Sequence, residues 1–290
     1  VGNEGVLYVS DEPLDSAIVE EAPVYQRTDF APVSPVTAAE ELGSYVLYDR
    51  PKAAELQSLL EAKTGEHPRL FATAEEFAQF KRQSEQDTTI VKQTEYAIRQ
   101  ANAILSTDVE DYGFQDAYRM HDRANLFQNR MLWLGLAWRL TEDEKYIERA
   151  WKELEIICSY PDLNTPHVID TGMFLSGLGV AYDWMYDAWS QSQKKQMVDT
   201  ILELGLKPLQ LAYYGRLQGC AAGTEYSTQI TGLFPKWTSN YNTLANSGVT
   251  IAALAVFDQD PTLCADVLEK SIRSIEYTLK GFQAEGGWVE

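Results

Sequence analysis

From about Ala53 onward the apolar positions recur with the period of a helix, and the helices they predict alternate between two kinds. Residues 123–140 are apolar on one face, through Phe127, Met131, Leu134 and Trp138, and again on another, through Leu132, Trp133, Leu136 and Leu140. Such a helix has to be buried on most sides. Its successor, residues 143–160, is amphipathic: Ile147, Ala150, Trp151, Leu154 and Cys158 form one stripe, and Lys145, Glu148, Lys152 and Glu155 lie opposite. The couple recurs twice, with an apolar helix over 171–189 followed by a half-polar one over 191–214, then an apolar helix over 242–257 followed by an amphipathic one over 261–282. Three runs carry the capping-box signature that starts a helix, with Ser or Thr followed three residues later by Glu or Gln: Thr73 with Glu76, Thr141 with Glu144, and Ser190 with Gln193.

Inner helix and outer helix, three times over, describe helical hairpins stacked side by side in an all-α chain. An α/α toroid or a helical solenoid satisfies that pattern, as does an irregular all-α domain without a closed ring. The long connections over 159–170 and 215–239, which carry Pro and Gly, favour an incomplete α/α toroid, because loops of that length on one rim can build a cleft. Residues 1–52 have no sustained period. They hold Pro13, Pro23, Pro32, Pro35 and Pro51 around a short strand-like run at 5–9, and are expected to form an irregular, extended N-terminal arm. The expected division is therefore an arm over 1–52 and a toroid over 53–290.

Composition adds constraints of a different kind. With 43 acidic against 24 basic residues the 290-residue chain has a formal net charge of −19, which disfavours nucleic acid and anionic membrane as partners. At face value the same charge disfavours an anionic polysaccharide. However, the acids concentrate on the arm (Glu4, Asp11, Glu12, Asp15, Glu20, Glu21, Asp29) and on the polar faces of outer helices, remote from any cleft. Cys158, Cys220 and Cys264 are scattered, with no disulfide or zinc spacing, and His67, His121 and His167 stand at no metal-ligand spacing, so neither a metal nor a cofactor is expected. The chain opens at Val1 with neither a basic nor an apolar stretch of signal-peptide type.

No nucleophile elbow, phosphate-binding loop or dinucleotide fingerprint is present. Candidate chemistry centres on a helix entrance, Lys236-Trp237-Thr238-Ser239-Asn240-Tyr241-Asn242. Ser239 or Asn240 can serve simply as the N-cap, while Asn240 and Asn242 can also aim amide donors at a ligand beside aromatic platforms. Arg119, His121 and Arg123 form a local basic patch just before an inner helix. They could hold a carboxylate or sulfate, or pair with Asp116 and Asp122. Trp237 and Trp288 are candidate sugar platforms or plain rim aromatics, and Asp183 is expected to anchor a neighbouring loop.

Four motifs in order, His67-Pro68-Arg69-Leu70-Phe71, the 170–184 segment from Asp170-Thr171-Gly172 to Tyr182-Asp183-Trp184, Ser239-Asn240-Tyr241-Asn242, and Glu285-Gly286-Gly287-Trp288-Val289-Glu290, resemble the heparinase II/III-type polysaccharide lyases and their alginate-lyase relatives. The resemblance covers about residues 67–290. It implies an α/α toroid followed by a β-sandwich domain, an anionic polysaccharide as substrate, a periplasmic or extracellular location, and cleavage of uronic-acid glycans by β-elimination. Within it Asn240, with Asn242 as second candidate, is the catalytic group that neutralises the uronate carboxylate. Tyr241, where many relatives carry Trp or His, and Trp237, Trp288, Glu290, Arg119, His121 and Arg123 fall on the substrate side. A catalytic tyrosine follows the Gly-Gly-Trp motif in the family, so the chain reads as a piece ending before it, with little turnover of its own. Two other functions are compatible with the same pattern. A glycoside hydrolase on a toroid would draw on Asp170, Asp183 and Glu225, and a non-catalytic glycan-binding domain would need no acid at all.

Overall fold

A computed structural model describes residues 50–214, 234–282 and 286–288 of the chain. The expected arm up to residue 49, Cys220, Glu225, Glu285, Glu290 and most of the 215–239 connection lie outside the described residues.

The described residues are all-helical. In chain order they form α1 Ala53–Glu61, α2 Ala74–Gln83, α3 Thr88–Ile104, α4 His121–Thr141, α5 Glu144–Ile157, α6 Val168–Trp184, α7 Gln191–Asp199, α8 Lys207–Tyr213, α9 Asn240–Ala255 and α10 Pro261–Leu279. A π-helical stretch, Thr200–Leu206, joins α7 to α8. The sole strand-type pairing among these residues is one bridge between Phe282 and Trp288.

The two kinds of helix in the sequence correspond to two layers. All 17 residues of α6 are buried, because α4 packs on one side of it and α9 on the other. Glycine permits the tighter of these contacts. A Cβ on Gly172 would lie 2.4 Å from the Leu244 carbonyl oxygen, and one on Gly248 would lie 2.0 Å from that of Gly172, so the α6 and α9 backbones touch directly. Against this inner layer lie the amphipathic helices, α5 on α4 and α10 on α9.

Helix starts differ from the sequence pattern in ways that matter for the site. The boxes at Thr73 and Ser190 form as expected, each side chain accepting the backbone N–H three residues on. The box at Thr141 does not. Thr141 is the last residue of α4, its hydroxyl donates back to the Ala137 carbonyl at 2.7 Å, Glu142 turns the chain through φ 57°, and Asp143 caps α5 instead. Helix α6 begins at Val168 rather than 171, which puts Asp170 in its first turn and His167 at its N-cap position. Helix α9 begins at Asn240, with Ser239 at an N-cap position whose side chain makes no capping bond.

Candidate functional site

The starts of the three inner helices meet on one rim. Asp170, wholly buried in the first turn of α6, accepts the Met120 backbone N–H at 2.6 Å from the residue preceding α4. The same carboxylate oxygen accepts the side-chain N–H of Asn164 at 2.8 Å. Asn164 sits at φ 55°, a left-handed conformation that Asn tolerates, and also donates to the Tyr118 carbonyl at 2.7 Å, tying the α5–α6 loop to the loop before α4. The other carboxylate oxygen, Oδ1, lies 2.8 Å from Nδ1 of His167, a short contact angled away from a linear hydrogen bond. It also lies 3.9 Å from Nδ1 of His121, the first residue of α4. On its far side the His167 ring presents Nε2 to the Tyr241 hydroxyl, 3.2 Å away in the first turn of α9, with the two rings edge to face at 5.5 Å.

Several of the residues singled out in the sequence gather here. Trp237 meets the Tyr241 ring edge-on at 5.4 Å, and Trp288 donates its indole N–H to the Thr238 carbonyl at 3.0 Å, so both tryptophans flank the start of α9. Asn240 is half-buried as the first residue of that helix. Arg119 reaches the same rim. Its Nε is 2.5 Å from Asp116, and its guanidinium is held above its ordinary pKa mainly by Asp116 and more weakly by Tyr241. Asp116 in turn is pulled down to about 2 by the backbone N–H groups of Tyr118 and Arg119, so this pair is ionised throughout the neutral range.

Two candidates do not face the rim as expected. Asn242 is fully buried. Its amide nitrogen donates to the carbonyls of Phe234 and Ser274 and to the Ser274 hydroxyl, and its oxygen accepts the Thr278 hydroxyl at 2.7 Å, so it fastens α9 to α10. Arg123 turns back on the preceding loop, donating to the Gly113 carbonyl at 2.5 Å with Glu110 at 3.6 Å. Glu290 lies outside the described residues. Conversely, the His167–Asp170 pair went unread. The signal was a His-x-x-Asp spacing at a helix start, and setting that start at 171 left both residues in the loop.

The opposite end of α6 is built differently. Asp183, wholly buried, accepts the backbone N–H groups of Arg69 and Leu70 at 2.9 and 2.8 Å and lies 2.6 Å from His67 Nδ1, which makes it the loop anchor expected from the sequence. Arg69 also forks onto Asp258 at 3.0 and 2.7 Å. A cavity of about 400 Å³ opens at this end, lined in part by Tyr182, Tyr186, Lys194 and Lys195. Thirteen residues of helix separate Asp170 from Asp183, roughly 20 Å at 1.5 Å per residue. Paired carboxylates of a glycosidase stand at most about 10 Å apart, so these two acids cannot serve as one catalytic pair.

No protein-family model matches the chain, and no curated protein matches it. Among the described residues no group of three His, Cys, Asp or Glu could hold a metal ion, and no helix is long and apolar enough to cross a membrane. The groups described at this rim are amide and cationic donors, which suit an anion, aromatic faces, which suit sugar rings, and a histidine and a tyrosine, which can exchange protons.

Proposed function

We propose that this chain is the toroid portion of a polysaccharide lyase that cleaves uronic-acid glycans by β-elimination, acting outside the cytoplasm, as its resemblance to heparinase II/III-type and alginate lyases implies. The observation that carries this reading is the common rim of α4, α6 and α9. Each helix start contributes about half a positive charge, and Arg119 and His121 stand beside them with Asp116 and Asp170 as their present partners, so donors and cations for a carboxylate gather at this end of a chain of net charge −19. In this reading the three hairpins belong to a ring whose cleft opens at that rim. Trp237, Trp288 and Tyr241 border the sugar.

The proton alpha to a uronate carboxylate is only weakly acidic, so elimination requires donors that bind the carboxylate more strongly as enolate-like charge develops. Asn240 fills that role here, while Asn242, enclosed between α9 and α10, supports its helix. The full-length protein, offered heparan, chondroitin, hyaluronan or alginate, should release unsaturated uronides with new ultraviolet absorbance. Asn240→Ala should lower that rate by about 10²- to 10³-fold, the range seen when one such donor is removed. Absence of the absorbance with every uronate polymer would overturn the reading.

A further inference from the structure

The cavity at the far end of α6 takes no part in the rim, yet its walls carry a consistent set of groups. We propose that it is a second binding site, one for a small sugar acid: a molecule with one carboxylate, held by the Lys194 ammonium, and several hydroxyls. The site lies at the end of α6 opposite Asp170 and does not rest on the lyase reading above.

Charge selects an anion. Lys194 and Lys195 line the cavity from the start of α7. Lys195 stands 2.6 Å from Asp199, which lines the same cavity, so these two charges cancel. Lys194 pairs with no carboxylate among the described residues and sits instead over the Tyr186 ring, 3.5 Å from its centre. An ammonium in that position keeps N–H donors on the side away from the ring. The acids behind the tyrosines already have partners. Asp258, whose charge reaches Tyr182, is forked by Arg69, and Asp183 holds His67 and the backbone N–H groups of Arg69 and Leu70. One positive charge is left over at the cavity.

Hydrogen bonding selects the body of the ligand. Tyr186 stacks on the His67 imidazole at 3.8 Å and 12°, and two groups this close to one ring centre take opposite faces. With Lys194 on the other side, neither face is open to a flat ring. Tyr182 is buried and meets Tyr186 edge to face, so it offers no platform either. What remains is mostly polar. Burial holds the Tyr182 phenol above its ordinary pKa, so it keeps its proton at neutral pH. Gln191, on the first turn of α7, and Gln259, on the turn after α9, add exposed amides that both donate and accept. Val198 and Leu202 supply the apolar part of the lining. Such a wall matches the hydroxyls of a sugar better than an aromatic or aliphatic body. Its volume of about 400 Å³ is that of a small-molecule site, which suits a free sugar acid and not a length of polymer.

Titration calorimetry of the full-length protein with glucuronate, glucose and benzoate tests the assignment. Glucuronate should bind. Glucose, without the carboxylate, and benzoate, without the hydroxyls, should each bind at least about 10-fold more weakly. Lys194→Gln should weaken glucuronate by about 10- to 100-fold, the range for a hydrogen bond to a charged group. Because that change also removes the contact with Tyr186, Gln259→Ala on its exposed turn supplies an independent reading and should weaken glucuronate several-fold. Losses in both variants support the site, and affinity equal to the parent's in either overturns it. Glucose or benzoate binding as tightly as glucuronate also overturns it. A loss in Arg119→Gln without one in Lys194→Gln moves the sugar acid to the rim and overturns the cavity site, while leaving the lyase reading standing.

Discussion

Asp258 shows how opposing effects settle on one side chain. Burial raises the pKa of its carboxyl, but the Arg69 guanidinium and the Gly65 N–H outweigh that and leave it below the ordinary carboxylate value. A folded-state value below the unfolded one of about 3.9 means the stabilisation is complete above the unfolded value and is lost as pH falls through the folded one. Asp258→Asn should therefore flatten the loss of stability on acidification below about pH 4, measured by denaturant unfolding at a series of pH values. A variant curve parallel to the parent's would show that the pair adds nothing. At this scale legibility divides by chemistry. Asp183 was readable as an anchor because an acid in the last turn of a buried helix needs donors, and the chain brings it Arg69, Leu70 and His67. Asn242 was not legible because an Asn at a helix start suits a ligand or a neighbouring helix equally well, and only the position of Ser274 and Thr278 across the contact shows what it bonds.

Among the elements, α6 and α9 are set by how closely their backbones approach. A Cβ on Gly248 would sit 2.0 Å from the Gly172 carbonyl oxygen, so something must move, and the neighbour is backbone rather than a flexible side chain. Gly248→Ala should destabilise the fold by about 1–3 kcal/mol despite the better helix propensity of alanine. Gly113→Ala, whose Cβ would meet its nearest neighbours, the Arg123 guanidinium atoms, at an ordinary 3.5 Å, should change stability by no more than about 0.5 kcal/mol. Thermal melts of the two variants against the parent test the contrast, and equal shifts would contradict the close approach of α6 and α9. The alternation of helix types was legible because burial on every side requires an apolar surface on every side. The starts were less so. Thr141, Asp143 and Glu144 all suit a helix N-terminus, and the choice of Asp143 follows from the left-handed turn at Glu142 that ends α4. Nor did the pattern announce Arg130, Arg149 and Glu153, which are buried together between α4 and α5, with Arg149 also donating to the carbonyls of Ile104 and Thr107.

Over the whole of the described fold the parallel inner helices give the two ends of that layer opposite polarity. Helix starts gather at the end with Arg119, His121 and Asn240, where the buried Asp170 sits against the positive pole, and helix ends gather where Arg69 and His67 meet Asp183 and Asp258. If the rim holds an anionic glycan, retention of a uronate polymer should weaken with salt and fall several-fold in Arg119→Gln. It should be unchanged in Lys194→Gln, at the cavity on the other end. Affinity measurements at two ionic strengths decide it, and equal losses in the two variants would point to non-specific charge.

By itself the sequence determines the helical class and the order of inner and outer helices, because these depend on local period and on residues close in the chain. Tertiary structure decides which side chains from distant segments share that rim. Arg123 turns away, Asn242 closes into a helix contact, and His167 comes to lie between Asp170 and Tyr241, 74 residues along the chain, since their meeting depends on where three helices begin relative to one another. No periodicity records that relation. It is set by the packing of α4 and α9 against the two sides of α6.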